Sequence, residues 1–372
     1  MVSVTTLRKT ALVCYRYTFE VSPTLKNICS YLFDKEGVEV DVYLDELNRD
    51  RHFRMPGVNI IEVLSRGLMS LLVRNRSEKT RRKLFVWYVR RRIRGYERII
   101  VADFDALALA DEMGADLSRI IYVSLESADL IRFYPLESVR RLLGSCALRV
   151  IQSSERGEDL TRYLGVSLPF EYLPVSSRPS NFKRNAGGGK IKIIYSGYFA
   201  DWACLSEFVA AISKYPLLDE VSFTFQGHTM GTEGYLQNLQ EMVSGLPNVE
   251  IDLEYYDDSQ YMKMLSNFDI GLAFYKNIQG SANFDNMILS SGKIANYLWS
   301  GLTVITNIDC KETHMPPFMH MEPTEADKLP GFLEIFLANR DEYTAASYNL
   351  AKVHYDFDAN MEVIYGKMFN NK

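Results

Sequence analysis

Hydrophobic residues along the chain alternate between two spacings. Short apolar runs rich in β-branched residues, such as residues 10–17 and 98–102, predict buried strands. Between such runs the apolar residues recur at helical spacing, as in residues 24–35, where Ser22 and Pro23 predict the start of a helix. Strands that alternate with helices of about ten residues are typical of parallel βαβ units. The pattern therefore predicts an α/β protein with parallel sheets.

The alternation is interrupted once and then restarts. Residues 176–190 combine Pro, Ser, Asn and three consecutive glycines, a composition typical of a linker. We therefore expect two Rossmann-like, doubly wound domains, residues 1–178 and 191–323, followed by a helical tail over residues 324–372. Open parallel sheets bind ligands at the carboxyl ends of their strands. We expect the two domains to face a central cleft that holds a nucleotide-type ligand.

Composition is typical of a soluble globular protein. Hydrophobic residues make up 47% of the 372 residues and charged residues 24%, and the formal net charge of −5 argues against nucleic acid as a partner. No apolar run reaches the ~18 residues of a membrane-spanning helix. The first residues lack the apolar core of a secretion signal, and the five cysteines are scattered without CxxC spacing, so we expect a cytoplasmic protein. His314 and His320 flank two prolines at a spacing unusual for metal ligands.

One basic segment departs from the acidic average. Residues 66–98 contain twelve Lys and Arg residues against two Glu residues. The basic clusters flank a short apolar stretch, residues 84–89, which is rich in interfacial aromatic residues. This combination favours contact with an anionic membrane surface, while the structural alternative is a helix that exposes a solvated basic face. The residues proposed for a membrane or acceptor surface are Arg81, Arg82, Trp87, Arg90, Arg91 and Arg92.

The strongest chemical motif lies in residues 284–306. A loop of small residues opens onto a predicted helix and is followed at once by a lysine: Ser290, Ser291, Gly292 and Lys293. The free N–H groups and the positive dipole end of such a helix bind anions, and they suit a diphosphate. Gly301 is predicted to end the helix. The structural alternative is a capped helix in an ordinary βα unit.

Residues 291–306, SGKIANYLWSGLTVIT, resemble the donor-site motif of GT-B glycosyltransferases, in which a helix after a phosphate-binding loop ends in a small residue and glycine before an apolar strand. The resemblance extends over about residues 191–309 and includes strands that end at Gly197 and Gly227. It implies that the second domain binds a nucleotide-sugar and the first domain the acceptor. The donor-binding residues that it implies are Gly197, Tyr198, Gln226, Tyr256, Ser290, Ser291, Gly292, Lys293 and Asn296.

The chain departs from the family's pattern at several positions. Many members bind the nucleotide ribose with a Glu where this chain has Asn296, and their second Glu falls at Ile288. The Arg and Lys that follow the first glycine in those families are replaced by Tyr198 and Ala203. Residues 197–202 instead resemble an aromatic-rich turn of bacterial polysaccharide glycosyltransferases. Retaining and inverting chemistry both stay open.

The candidates for binding the nucleotide base and for the catalytic carboxylate lie at the ends of other predicted strands. Tyr255 and Tyr256 stand where the nucleotide base binds in the family, with aromatic stacking and core packing as alternatives. An inverting enzyme needs a general base on the acceptor hydroxyl. Glu126 is the favoured candidate over Asp103 and Asp105, which spell DxD but lie in the predicted acceptor domain. We therefore expect a metal-independent reaction with no cofactor besides the nucleotide-sugar.

These features together predict a glycosyltransferase. It would move a sugar from a nucleotide-sugar to a lipid-linked glycan, in surface polysaccharide or glycoconjugate synthesis, at the inner face of a membrane. One alternative is a sugar-nucleotide epimerase of the same fold. Another is a catalytically inert, membrane-associated scaffold, which the loss of the ribose-binding Glu at Asn296 keeps open.

Overall fold

The chain forms two compact α/β units. The computed structural model describes residues 9–15, 19, 22–45, 54–65, 76–125, 130–175, 184, 189–214, 221–229, 233–276 and 288–369. The first unit comprises residues 1–174 together with residues 357–372, and the second comprises residues 175–356. Among the described residues no helix has the length and apolarity needed to cross a bilayer.

A seven-stranded parallel sheet forms the centre of the first unit. Its strands are β1 Lys9–Val13, β2 Glu39–Leu44, β3 Val58–Glu62, β4 Arg98–Ala102, β5 Ile120–Val123, β6 Leu148–Ile151 and β7 Glu171–Tyr172. They lie in the order β3-β2-β1-β4-β5-β6-β7, which is the doubly wound arrangement. The helices between them are α1 Pro23–Glu36, α2 Glu78–Ile93, α3 Asp103–Glu112, α4 Leu136–Ser145 and α5 Ser154–Leu164.

Local sequence sets the ends of these helices. The Ser22 hydroxyl accepts a hydrogen bond from the Leu25 amide, and Pro23 occupies the first turn of α1. Gly37 ends α1 at φ 62°, a left-handed conformation in which glycine carries no Cβ penalty. Both ends were predicted from the residue types alone. Apolar side chains of the sheet pack into two layers, one on each face, and each fully buried Leu, Ile, Val or Phe contributes about 1.5–3 kcal/mol.

The second unit repeats this plan with six parallel strands. They are β8 Ile191–Tyr198, β9 Val221–His228, β10 Val249–Asp252, β11 Ile270–Ala273, β12 Thr303–Thr306 and β13 Phe318–His320. Their order in the sheet is β10-β9-β8-β11-β12-β13. The helices are α6 Leu205–Ile212, α7 Glu233–Val243, α8 Asp258–Leu265, α9 Gly292–Trp299, α10 Leu329–Ala338 and α11 Arg340–His354. The α/β class and the paired Rossmann-like units predicted from the sequence are confirmed.

The unit boundaries differ from the predicted ones. The first unit ends at Pro174 rather than at residue 178, and the predicted tail, residues 324–372, is divided between the units. Helices α10 and α11 belong to the second unit, whereas α12 (Phe357–Phe369) packs on the first, where Arg98 donates to the Met368 carbonyl. Helical spacing predicts a helix but carries no information about the sheet on which it packs. The tail is therefore not a separate domain.

Candidate functional site

The central strands of the second sheet end in two facing glycines. Gly197 of β8 pairs in register with Gly227 of β9, and both have positive φ, 154° and 158°. A Cβ atom added to Gly227 would lie 1.8 Å from the Gly197 carbonyl oxygen. At position 227 only a residue without a side chain fits this close approach of backbones. The carboxyl edge of the sheet, where open α/β sheets bind ligands, is therefore open backbone at its middle.

Helix α9 begins beside this edge as the sequence predicts. The Ser291 hydroxyl caps the helix by accepting from the Ile294 amide at 3.2 Å, and it also lies 2.5 Å from the Tyr275 hydroxyl. Ser290 is 5% exposed, and its buried hydroxyl has no hydrogen-bond partner among the described residues. Gly301 follows the helix at φ 75°, with N–H groups of Gly301 and Leu302 bonding carbonyls of the last turn. The loop thus presents an unsatisfied hydroxyl at a helix N-terminus.

Lys293 occupies an aromatic cage. Its Nζ lies 3.9 Å from the ring centre of Tyr195, 5.2 Å from that of Tyr275 and 5.5 Å from that of Trp202. The rings of Trp202 and Tyr275 are parallel, with 5° between their planes. Cation–π attraction acts within about 6 Å, so all three rings contribute to holding the ammonium group. These ring residues were not among the predicted site residues.

The Lys293 ammonium group has no counter-ion in the described part of the chain. The side chain is partly exposed as a whole, but Nζ itself is buried and makes no hydrogen bond to any described residue. Burial lowers the pKa of Lys293 from its ordinary 10.5 to about 7, with a weaker opposing effect from Cys204. A Cβ atom at Gly197 would lie 3.2 Å from Lys293 Cε, so the lysine reaches the glycine edge of β8.

A tyrosine, a serine and a glutamine fix the strand ends behind the cage. The Tyr297 hydroxyl accepts from the Ser196 amide at 2.7 Å, and its ring packs on Gly271, where a Cβ atom would lie 2.2 Å away. Ser196 Oγ donates to Gln226 Oε1 at 2.5 Å. Gln226 Nε2 donates to the Glu254 carbonyl at 3.1 Å. Gln226, predicted to bind the donor, is therefore 7% exposed and engaged within the fold.

Asn296 and Tyr198 lie at the margin of this cluster. Hydrogen bonds with Ser196 and Asn296 partly offset the burial that raises the pKa of Tyr261. The Tyr198 carbonyl accepts from the Tyr195 hydroxyl at 2.6 Å. The ring of Tyr198 packs edge-on against the ring of His228, with 4.6 Å between the ring centres. Both residues shape the walls of the site.

An open groove follows strand β10. It is lined by Glu254, Tyr255, Tyr256, Gln260, Lys263, Met264 and Asn267. Tyr255 is 71% exposed, so it is not a core residue. Tyr256 is half-buried and donates to Asp252 at 2.8 Å, which raises the pKa of its hydroxyl to about 12. An exposed aromatic ring beside a groove is suited to stacking on a planar ring ligand, and the exposure of Tyr255 argues against the alternative of core packing.

Two of the three predicted carboxylates of the first unit, Asp103 and Asp105, are engaged in its fold. Asp103 is 9% exposed, has a φ of 61°, and accepts from the Leu125 amide at 2.7 Å. Asp105 accepts from the Tyr134 hydroxyl. The favoured catalytic residue, Glu126, lies outside the described residues. Within the described ranges, no group of three or more His, Cys, Asp or Glu residues is placed to hold a metal ion.

Residues 78–93 of the basic segment form helix α2, and the predicted surface residues on it separate into two groups. Arg81 and Arg82 make intramolecular ion pairs, with Glu78 at 3.9 Å and Glu112 at 2.5 Å. The other group is exposed and includes Trp87, which is 51% exposed and covered by the Arg91 guanidinium at 4.8 Å, whereas the Arg92 guanidinium lies over the ring of Tyr88. We call this group the basic face, and its members are Lys79, Lys83, Trp87, Arg90, Arg91 and Arg92. Arg81 and Arg82, which the sequence assigned to the membrane surface, are therefore engaged in ion pairs within the chain and are not part of the basic face.

Two Rossmann-like units in one chain, each with a parallel doubly wound sheet, are the GT-B fold of glycosyltransferases. Solved structures share it over nearly the whole chain. HepE from Anabaena, in complex with UDP and glucose, has a TM-score of 0.69 at 11% identity, covering 98% of this chain and 100% of its own. A glycosyltransferase from Rickettsia africae has a TM-score of 0.69 at 13% identity, covering 99% and 100%.

A third similar structure is that of the Escherichia coli protein bound with UDP-2-fluoro glucose. Its TM-score is 0.64 at 12% identity, and the match covers 97% of this chain and 98% of the other. No protein-family model and no curated protein sequence matches the chain. At these identities the likeness establishes the GT-B fold, and the activity must be inferred from the site.

Proposed function

We propose that the protein is a glycosyltransferase that binds a nucleotide-sugar on its second unit and transfers the sugar to a glycan. The observation that carries this proposal is the buried ammonium of Lys293, which lies beside the glycine edge of β8 and has no hydrogen-bond partner among the described residues. A buried cation is costly unless an anion accompanies it. The similar Anabaena structure contains UDP-glucose, a ligand whose diphosphate would supply that anion.

Each part of the site has a role in this reaction. Lys293, the N–H groups of the first turn of α9 and the Ser290 hydroxyl would bind the diphosphate. The diphosphate gains negative charge as the bond to the sugar breaks, and donors fixed in advance in a water-poor site stabilise that charge. The groove beside Tyr255 would hold the base. This arrangement activates the leaving group through side chains and backbone alone.

Binding of a ligand panel tests the donor site. We expect at least one of the UDP-, GDP- or dTDP-sugars to raise the melting temperature by several degrees, because a ligand present at about 100 times its Kd adds about 2.7 kcal/mol of stability. The matching free nucleosides, which lack the diphosphate, should produce no shift. Absence of a shift with every nucleotide-sugar would contradict the proposal.

Turnover then separates the enzyme classes. A glycosyltransferase consumes the nucleotide-sugar only when an acceptor is present, apart from slow hydrolysis. An epimerase of the same fold converts the nucleotide-sugar without an acceptor and exchanges sugar protons with solvent. An inert scaffold binds vesicles through the basic face and turns over nothing. Solvent-deuterium incorporation without acceptor would replace the first proposal with the second.

For the acceptor we propose a lipid-linked glycan of surface polysaccharide synthesis, reached at the cytoplasmic face of a membrane. The support is the basic face, where exposed cations and an exposed tryptophan lie on one helix. Lys and Arg residues near an anionic leaflet each contribute about 1 kcal/mol, and Trp favours the interface.

Vesicle co-sedimentation tests the membrane contact. Vesicles that contain anionic lipid should bind the protein, and the double variant Arg90→Glu/Arg91→Glu should bind at least about tenfold more weakly, because two attractive charges become repulsive. The control is Lys192→Glu/Lys352→Glu, which makes the same charge change at two exposed positions of the second unit. Equal weakening by both variants would mean that only net charge matters and that the basic face is not a docking surface.

A further inference from the structure

The site that would bind the diphosphate has a property that the fold alone does not impose. Resting on the proposed function, we infer that Lys293 takes up a proton as the donor diphosphate binds and releases it as the diphosphate leaves. Donor binding would then be regulated by pH near neutrality. The inference follows from what surrounds the lysine nitrogen.

Every element of the described residues that packs around Nζ presents a neutral group. Strand β8 contributes the ring of Tyr195, whose hydroxyl donates to the Tyr198 carbonyl. The segment after β11 contributes Tyr275, whose hydroxyl lies 2.5 Å from that of Ser291. Burial raises the pKa of both tyrosines above their usual range, so they carry no charge near neutral pH.

The segment between β8 and α6 completes the enclosure. It contributes the ring of Trp202, which cannot ionise, and the thiol of Cys204. Burial raises the pKa of Cys204 to about 11, so the thiol is also neutral near pH 7. Among the described residues, no carboxylate shifts the pKa of Lys293, and the one effect that opposes burial comes from Cys204. The ring faces attract a cation, but they do not replace its hydration.

The empty and occupied sites therefore hold the lysine in different protonation states. Without a counter-ion, burial lowers the pKa of Lys293 to about 7. A diphosphate in contact with the amine favours the charged form and raises this pKa. Above about pH 7, each bound donor must bring one proton from solvent to the amine, so donor affinity falls about tenfold per pH unit. Below about pH 7 the lysine is already charged and affinity becomes independent of pH.

Isothermal titration calorimetry measures this coupling directly. The probe is the nucleotide-sugar that gives the largest thermal shift, since its diphosphate diester does not titrate near neutrality. Titrations at about pH 8.5 in two buffers of different ionisation enthalpy give the number of protons taken up. We expect a value close to one for the wild type, and a dissociation constant that rises about 50- to 100-fold between about pH 7 and pH 9.

Two variants make the result specific to Lys293. Lys293→Arg carries a charge at all these pH values, so its proton uptake should be near zero and its affinity flat with pH. Lys192→Arg changes an exposed lysine at the other end of β8 and should behave as the wild type. Binding without proton uptake in the wild type overturns the inference and leaves the proposed function standing. Failure of every nucleotide-sugar to bind even at about pH 6, where the lysine is charged, overturns both.

Discussion

Replacing Lys293 with methionine should make the protein more stable while it loses its affinity for nucleotide-sugars. Methionine is unbranched and apolar, so it can fill the cage formed by Tyr195, Trp202 and Tyr275 without a buried amine. We expect the free energy of unfolding at about pH 7 to rise by about 1–3 kcal/mol. Gains of stability accompanied by loss of function are typical of residues kept for their chemistry.

The dependence of this gain on pH follows from proton binding. Lys293 has a pKa of about 7 in the folded protein and an ordinary value of 10.5 when exposed. Between these values the unfolded chain binds more protons, so wild-type stability rises with pH across this window. Below about pH 7 both states are protonated and the full cost of the buried charge is present. The advantage of Lys293→Met should therefore be largest below pH 7 and should shrink toward pH 10.

The loss of affinity has a separate cause. A charge-assisted hydrogen bond contributes about 1.5–3 kcal/mol, so its removal should weaken nucleotide-sugar binding about 10- to 150-fold at pH 7. Urea denaturation and calorimetry on one preparation measure both effects. Lys192→Met, at an exposed lysine of β8, should change neither quantity. A Lys293→Met protein that is less stable and binds normally would show that the ammonium serves the fold and not the ligand.

The donor-site motif shows which features of the site can be predicted from local sequence. The start of α9 at Ser291, the end near Gly301 and the position of Lys293 in the first turn follow from residue types within one segment. The cage does not, because its rings come from β8, from a short turn and from the end of β11. Aromatic residues occur throughout the chain, and only the sheet order brings these three to one point.

The same limit explains an apparent gap in the sequence. The resemblance to GT-B enzymes leaves no cation directly after Gly197, where Tyr198 and Ala203 stand. In the structure a cation nevertheless reaches this glycine, because Lys293 extends to it from α9. A comparison by position in the chain therefore does not detect a cation that reaches this glycine from another element. The sequence motif predicted a phosphate-binding loop but did not predict the aromatic rings that surround Lys293.

Fold prediction fails where pairing or packing is not local. Strands β3 and β13 and helix α4 were not predicted from the sequence. Strands β3 and β13 are short strands at the edges of their sheets, whereas helix α4 has apolar residues at helical spacing, of which Val139, Leu142 and Leu143 are buried, so it could have been predicted from its sequence. Charge counts were equally incomplete, since the sequence cannot show that Arg82 pairs with Glu112 while Arg90 stays exposed. The alternation of strands and helices was nevertheless sufficient for the architecture.

Replacing Gly227 with alanine should produce the largest loss of stability in the second unit. The new Cβ atom would lie 1.8 Å from the Gly197 carbonyl oxygen, which belongs to backbone in a neighbouring central strand and cannot rotate away. Residue 227 also has a φ of 158°, which L-residues with a side chain rarely adopt. Overpacking typically costs about 1–3 kcal/mol and an unfavourable backbone conformation about 1–2 kcal/mol more. We expect a combined loss of about 2–5 kcal/mol in the free energy of unfolding.

The same substitution should also disturb the proposed donor site, because relief of the clash must shift the Gly197 edge that Lys293 reaches. Any folded fraction should therefore bind nucleotide-sugars more weakly than the wild type. Gly234→Ala is the matched control: this glycine lies in helix α7 with open space around it, so alanine should be neutral or stabilise by up to about 1 kcal/mol. Urea denaturation of the two variants gives the comparison. A Gly227→Ala protein as stable as Gly234→Ala would show that the tips of β8 and β9 separate at little cost, and that the glycine pair is not what keeps this edge of the sheet open to a ligand.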